Sequence, residues 1–214
     1  MNNIIIVGAG GFGREVESLL GDCFSRNEYR FKGFLGRSDT NLDAHRSGGS
    51  IIGDPDSYQP CDGDRFILAI GNIAARRQVV ETLTSRGARF LTMVHPTAKL
   101  IDSASLGIGA VLYPHSFVSN AAALDDYAHL SLFASVGHDG YVGKFSMLSP
   151  YSTLNGFASV ANDVFVGSHA TIGPGTVVGE HCVISANSSV LRDIPPNRFV
   201  FGVPARQTAK FASP

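Results

Sequence analysis

The sequence predicts a small α/β domain followed by a parallel β-helix built from six-residue turns. Three observations carry this prediction. First, sixteen consecutive positions spaced six apart are aliphatic: Leu100, Leu106, Leu112, Val118, Leu124, Leu130, Val136, Val142, Leu148, Leu154, Val160, Val166, Ile172, Val178, Ile184 and Val190. Second, the residue two before each of these is Ala, Ser, Thr, Gly or Cys, with Val164 as the one exception. Third, the residues before Pro96 show no such period; short apolar runs there alternate with stretches of helical spacing. A period of six is neither the 3.6 of a helix nor the 2 of an extended strand. It marks a solenoid whose repeats stack on one another.

In the first domain, Ile4 to Val7 reads as a buried strand and runs into the glycine-rich turn from Gly8 to Gly13. A helix is expected over Arg14 to Leu20, ending near Gly21, and a second strand over Phe31 to Leu35. The polar stretch Arg37 to Ser50, with two adjacent glycines, reads as a loop. Arg65 to Ile70 is a further apolar strand. Ala74 to Arg86 has apolar residues at helical spacing (Val79, Val80, Leu83) and stops before Gly87. Phe90 to Val94 is read as the last strand. Strands alternating with helices imply a parallel sheet. His95-Pro96 is the expected boundary, since proline keeps the residue before it out of the helical region.

In the second domain each hexad supplies one short strand and one corner, and three sides close a triangular turn of eighteen residues. The sixth-position aliphatic points inward and stacks on its equivalents. The residue two earlier also points inward and must be small because the coil is narrow. Beyond Val190 the pattern ends, and the tail from Asn197 to Pro214 is expected to cover the open end.

Composition narrows the class. A net charge of −1 over 214 residues gives no electrostatic basis for binding nucleic acid or an anionic membrane. Cys23, Cys61 and Cys182 have no metal-ligand spacing, and an odd, scattered set reads as reduced thiols in a cytoplasmic protein. Ile4 to Val7 is far too short to span a bilayer.

The hexads resemble those of left-handed β-helix acyltransferases with hexapeptide repeats. Ile194-Pro195-Pro196-Asn197 and Gly202-Val203-Pro204-Ala205 are similar to the closing segment of those enzymes. Taken in order, the segments IIIVGAGGFGREV, AIGNIAARRQV, VHPTA and VGHDGYVGKF resemble the NeuD/PglD family of bacterial sugar acetyltransferases, over nearly the whole chain. The resemblance implies a Rossmann-like domain over residues 1–95 that binds the nucleotide-sugar acceptor. It implies a left-handed parallel β-helix over 96–214 that binds acetyl-CoA and carries the catalytic residues, with a C-terminal tail. It further implies a cytoplasmic homotrimer, with acetyl-CoA held between neighbouring coils. The activity implied is N-acetylation of a nucleotide-activated amino sugar bound for a surface glycan or lipopolysaccharide.

The resemblance assigns the general base to His138, which is followed by Asp139 as the family requires. Spacing agrees: His138 falls two residues after the inward Val136, where a corner projects its side chains away from the core. A histidine, with an ordinary pKa of about 6.5, can accept a proton as an amine attacks a thioester, and Asp139 is expected to orient the ring. Gly156, eighteen residues after His138, should stack one turn above it. It is read as a coenzyme contact, with a positive φ as the alternative reason for a glycine there. Met147, Ser168 and Ala186 complete the coenzyme contacts implied. Met147 is a departure, because members carry a second histidine nine residues after the first. His115, His129, His169 and His181 are read as surface or interface residues.

Gly8, Gly10, Gly11 and Gly13 follow a strand and open a helix, the context in which backbone N–H groups hold phosphate. The acidic residue that a nicotinamide ribose needs after the second strand is absent; Gly36 and Arg37 stand there. The resemblance therefore gives this pocket to the acceptor's nucleotide, with Arg37, Asn72 and Arg76 as further contacts. No metal is expected. Three alternatives remain open at this point: an O-acetyltransferase acting on sialic acid or a related glycan, a β-helix carbonic anhydrase, and a non-catalytic trimer that binds a nucleotide sugar.

Overall fold

The computed structural model describes residues 1–36 and 48–209, and its contacts divide it into two compact units, Met1–Met93 and Val94–Pro214. In the first unit, β1 (Asn2–Val7), α1 (Gly11–Cys23), β2 (Tyr29–Leu35), β3 (Ile51–Gly53), β4 (Asp64–Leu68) and α2 (Ile73–Ser85) follow in order. The strands form one parallel sheet in the order β3-β2-β1-β4. Ile4 to Val7 lie at its centre and are buried without alternation, as expected of a parallel strand covered on both faces. Gly8 and Gly13 hold α1 against β1. A β-carbon on Gly13 would fall on the Gly8 carbonyl, and one on Gly8, which sits at φ +117°, would fall on the Ala69 carbonyl.

Two expectations for this unit need correction, and one strand was not foreseen. α1 runs through Gly21 to Cys23, closed by the Phe24 N–H donating to the Leu20 carbonyl at 3.0 Å. A helical glycine costs only about 1 kcal/mol, too little to stop a helix already packed through Val16 and Leu20. Directly after the expected polar loop comes β3, an unforeseen strand of three residues paired to β2; residues 37–47 of that loop lie outside the described residues. Phe90 to Val94 is not one strand. Phe90 makes a single parallel bridge to Phe66, whereas Met93–Val94 is the first strand of the coil.

The second unit is a parallel β-helix. Its strands are two residues long, and each pairs with the strand eighteen residues away: Ser135 with Thr153, Thr153 with Thr171, and Thr171 with Ser189. Successive hexads therefore occupy three sheets in rotation. One face carries Leu112, Leu130, Leu148, Val166 and Ile184. The next carries Val118, Val136, Leu154, Ile172 and Val190. The third carries Leu106, Leu124, Val142, Val160 and Val178. From Leu112 to Val190 these aliphatics are at most 2% exposed, and only Leu100 and Leu106, at the start, are partly open. The small residues two before them are inside as well: a β-carbon on Gly140 would lie 2.7 Å from Val136 Cγ1. Val164, the larger exception, is fully buried too, and its N–H donates to Ser146 Oγ at 2.9 Å.

From Gly109 to Asn187 each corner turns through a left-handed residue three positions after the aliphatic, and most of these are not glycine: His115, Ala121, Tyr127, Phe133, Asp139, Phe145, Tyr151, Phe157, Asp163, His169, His181 and Asn187 all have φ between +53° and +61°. Such backbone costs on the order of 1 kcal/mol or more per residue. Stacking between rungs offsets part of it. His115, Phe133, Tyr151 and His169 form a continuous pile along one corner, with ring centroids 4.8–4.9 Å apart. Tyr127 and Phe145 stack on another at 4.9 Å. Aromatic pairs of this kind contribute about 0.5–1.5 kcal/mol each. Arg198–Phe201 then pairs in parallel with Val183–Ile184, folds back as a hairpin with Arg206–Ala209, and buries Val200 at the end of the core.

Candidate active site

The second and third faces of the coil meet at a corner whose successive rungs present Asn120, His138, Gly156, Pro174 and Arg192. His138 projects outward, with its side chain 58% exposed, and its Nδ1 lies 2.9 Å from Asp139 Oδ2. A carboxylate can only accept here, so Nδ1 carries the hydrogen and donates it, leaving the lone pair on Nε2. The left-handed backbone of Asp139 (φ +57°) brings its carboxylate back onto the preceding side chain.

Gly156 lies directly against the ring. A β-carbon there would clash with His138 Nε2 and fall 2.6 Å from Cε1. The alternative reason for this glycine, a positive φ, does not hold: the left-handed residue is Phe157, at φ +60°. Glycine is needed here for close approach. Phe157 closes the site on one side, its ring edge-on to the imidazole at 5.0 Å and 90°, while its N–H donates to the His138 carbonyl at 2.9 Å. Sequence reasoning missed Phe157; the signal was its place one residue beyond the position stacked on His138.

The Gly156 carbonyl accepts from Gly175 N–H at 3.0 Å, but the Gly156 N–H has no acceptor among the described residues. Imidazole Nε2 and this free N–H thus share one corner. Three rungs above His138, Arg192 lines a cavity of about 470 Å³ at the end of the coil, together with Arg206, Asp193 and Pro204.

Within one chain, Met147, Ser168 and Ala186 are not brought to His138. Met147 lies on the first face, in register with His129 and Phe165. Ser168 and Ala186 stack at the corner between the first and second faces, where the Ser168 carbonyl accepts from Asn187 N–H. Among the other histidines, His129 is only 4% exposed, packed edge-on against Tyr113, so the surface reading fails for it. His115 and His169 end the aromatic pile, and His181 Nδ1 stands 3.7 Å from Asp163.

A second cleft, of about 430 Å³, opens at the carboxyl ends of β1 to β4, lined by residues including Gly8, Ala9, Gly36, Asp54, Asp56 and Asn72. Gly10 caps α1 with no side-chain hydrogen bond, and a β-carbon on Gly10 would meet nothing within 4 Å. The glycine motif therefore splits into two residues that pack, Gly8 and Gly13, and two that leave the helix N-terminus open, Gly10 and Gly11. Asn72 faces the cleft and also caps α2, its Oδ1 accepting from Ala75 N–H at 3.0 Å. Arg76 is fully buried. Its Nη1 donates to the Ile70 carbonyl at 3.0 Å, and burial lowers its pKa to about 9. Arg37 lies outside the described residues. The acidic residues of the cleft come from the turn after β3, not from the end of β2.

An α/β domain joined to a hexapeptide-repeat β-helix defines the class of protein. Residues 3–83 match the PglD N-terminal domain, and residues 157–192 match the bacterial transferase hexapeptide (six repeats). Both matches agree with the resemblance to the NeuD/PglD family of sugar acetyltransferases. UDP-N-acetylbacillosamine N-acetyltransferase of Bacillus subtilis (strain 168) is 29% identical over 117 residues, which cover 52% of this chain and 51% of that protein. The chain thus spans about half the length of the curated relative it matches. The acetyltransferase domain of PglB from Neisseria gonorrhoeae FA1090 superposes with a TM-score of 0.88 at 25% identity, covering 97% of this chain and 100% of that one. The same domain in complex with acetyl coenzyme A gives 0.86 at 27% identity, with the same coverage. PerB from Caulobacter crescentus, in complex with CoA and GDP-perosamine, shares the fold, with a TM-score of 0.83 at 24% identity over 97% of this chain and 98% of that one.

No helix among the described residues is long and apolar enough to cross a membrane.

Proposed function

We propose that this protein transfers the acetyl group of acetyl-CoA to the amine of a nucleotide-activated amino sugar. The observation that carries the reading is one imidazole, oriented by Asp139 and held with its free nitrogen against the backbone of Gly156. The acetyl-CoA complex of the Neisseria domain and the activity named for the Bacillus relative support it.

His138 Nε2 takes the proton as the sugar nitrogen bonds to the thioester carbonyl carbon. The Gly156 N–H donates to the oxyanion that forms, a contact stronger in the transition state than before it. His138 then returns its proton to sulfur as the C–S bond breaks. Asp139 keeps Nδ1 as the donor throughout, so the lone pair stays on Nε2. At the coil end, Arg192 and Arg206 are suited to the coenzyme's phosphates. Three rungs at about 4.8 Å put Arg192 roughly 14 Å above His138, within the length of the coenzyme's pantetheine arm. In the first domain, the open N-terminus of α1 holds the acceptor's phosphates, and Asp54, Asp56 and Asn72 face the rest of the nucleotide.

Met147, Ser168 and Ala186 reach the coenzyme from a neighbouring chain in this reading, which calls for a homotrimer. The reading carries with it a cytoplasmic location. The test is CoA release on a panel of UDP-, GDP- and dTDP-linked amino sugars beside free sialic acids. Turnover with a nucleotide-linked amine is the expected result. Turnover confined to sialic acids replaces the reading with O-acetylation, and acetyl-CoA binding without acceptor-dependent turnover replaces it with a non-catalytic role.

A further inference from the structure

One edge of the coil caps corner N–H groups with side chains, and the His138 edge does not. Where the third face meets the first, two corner residues have their N–H satisfied by the side chain stacked one rung above, while Asp126 N–H turns to Asp125 Oδ1 at 2.7 Å. Ile108 N–H donates to Asp126 Oδ1 at 3.0 Å, and Lys144 N–H donates to Asn162 Oδ1 at 2.9 Å. The carbonyls of the same two residues accept from the left-handed residues of that upper rung, Tyr127 at 2.8 Å and Asp163 at 2.9 Å. At the His138 corner the carbonyl half of this arrangement is intact: Phe157 N–H donates to His138, and Gly175 N–H donates to Gly156. The N–H half is missing. The side chain stacked above Gly156 belongs to Pro174, which has no acceptor atom.

We infer that Pro174 is a positioning residue: by withholding the acceptor that Asp126 and Asn162 supply elsewhere, it keeps the Gly156 N–H open toward the carbonyl oxygen that becomes the oxyanion. Proline is suited to this twice over. It has no side-chain oxygen, and its ring fixes φ near −65°, holding the rung's backbone in a single course. Asparagine or aspartate here would reproduce the cap seen on Lys144 or Ile108 and engage the donor before the substrate arrived. The inference rests on the reading of Gly156 as oxyanion donor.

The test is Pro174→Asn, with Pro174→Asp as a second capping variant and Pro174→Ala as the conservative one. In Pro174→Asn the Gly156 amide is expected to become protected from hydrogen exchange, read by ¹⁵N-resolved NMR or mass spectrometry. Its kcat should fall roughly 10- to 100-fold, because an oxyanion donor has been occupied. The KM for acetyl-CoA should change little, since the lost contact belongs to the transition state. Pro174→Ala, which also lacks an acceptor, should leave the amide unprotected and restore kcat to within about twofold of the parent. A protected Gly156 amide with an undiminished kcat would overturn the inference. So would equal losses in the Asn and Ala variants, or an amide left unprotected in both capping variants. His138→Ala, run alongside, separates this from the underlying reading. Full turnover in His138→Ala defeats the acetyl-transfer mechanism itself, whereas its loss beside an active Pro174→Asn defeats only the role of Pro174.

Discussion

Two corners of the same coil put the same hexad to different uses. Along the corner through Ile108, Asp126, Lys144, Asn162 and Glu180, side chains tie one rung to the next. Asp126 and Asn162 accept backbone N–H groups, Lys144 Nζ reaches Asp126 Oδ2 at 2.9 Å, and Asn162 Nδ2 donates to Glu180 at 3.1 Å. Along the corner through His138, Gly156 and Pro174 such ties are absent, and an imidazole occupies the space. Both corners make the same carbonyl contacts between rungs, and they differ in what the stacked side chain can accept. A repeat fold can therefore build a reactive corner by leaving out its usual stabilising contacts.

The sharpest way to break this contrast is to remove the imidazole. His138→Ala should lower kcat by about 10²–10⁴ while leaving the Tm almost unchanged, because the side chain is 58% exposed. Assays of CoA release and a melting curve check both halves. Gly156→Ala comes next. Its methyl group crowds Nε2, so the ring must shift away, and a displacement of about 1 Å is expected to cost roughly 100-fold in kcat. Retention of activity in this variant would show that the two groups do not act on one reacting centre.

The hexad was legible because every rung repeats one demand: an aliphatic facing a small residue inside a narrow triangle. His138 was legible for a related reason, since its distance from Val136 fixes it at a corner. What could not be read were contacts made across eighteen residues. That Asp126 caps Ile108, or that Pro174 leaves Gly156 uncapped, follows only once three faces close a turn. The left-handed corners were hidden too, because Phe133 and Tyr151 carry no local sign of positive φ; their stacking partners lie a whole turn away. In the first domain, β3 escaped notice as three residues beside a glycine pair. Arg76 did leave a trace: it precedes Val79, Val80 and Leu83 at three, four and seven residues, on the face that α2 buries. That arginine was read as a contact to the acceptor's nucleotide because its charge outweighed its position.

Smaller effects test the other corner. Asn162→Ala removes the acceptor from Lys144 N–H and the donor to Glu180. It should cost about 1 kcal/mol, a fall in Tm of a few degrees, with kcat unaffected. A comparable loss of activity would mean that the two corners are coupled.

The least effect is expected from Asp126→Asn, and it depends on pH. Burial alone would raise the Asp126 pKa; the hydrogen bond from Lys144, the Ile108 N–H and the Lys144 charge outweigh it and hold the carboxyl below its ordinary value. Its contribution is therefore complete above the ordinary aspartate range and is lost as the pH falls through the lower, folded-state value. The difference in Tm between parent and variant should be small near pH 7, shrink with added salt, and vanish in strong acid. A difference that grew on acidification would contradict the sign.

Because the strands of the coil pair in register with those eighteen residues on, length along its axis comes only in whole storeys. The span from His138 to Arg192 is three of them, and no point substitution can stretch or shorten it. Duplicating or excising eighteen residues between the two would reset it by a single step of about 4.8 Å. The solenoid is thus a ruler with fixed graduations, and an elongated molecule lying along this edge is measured against it.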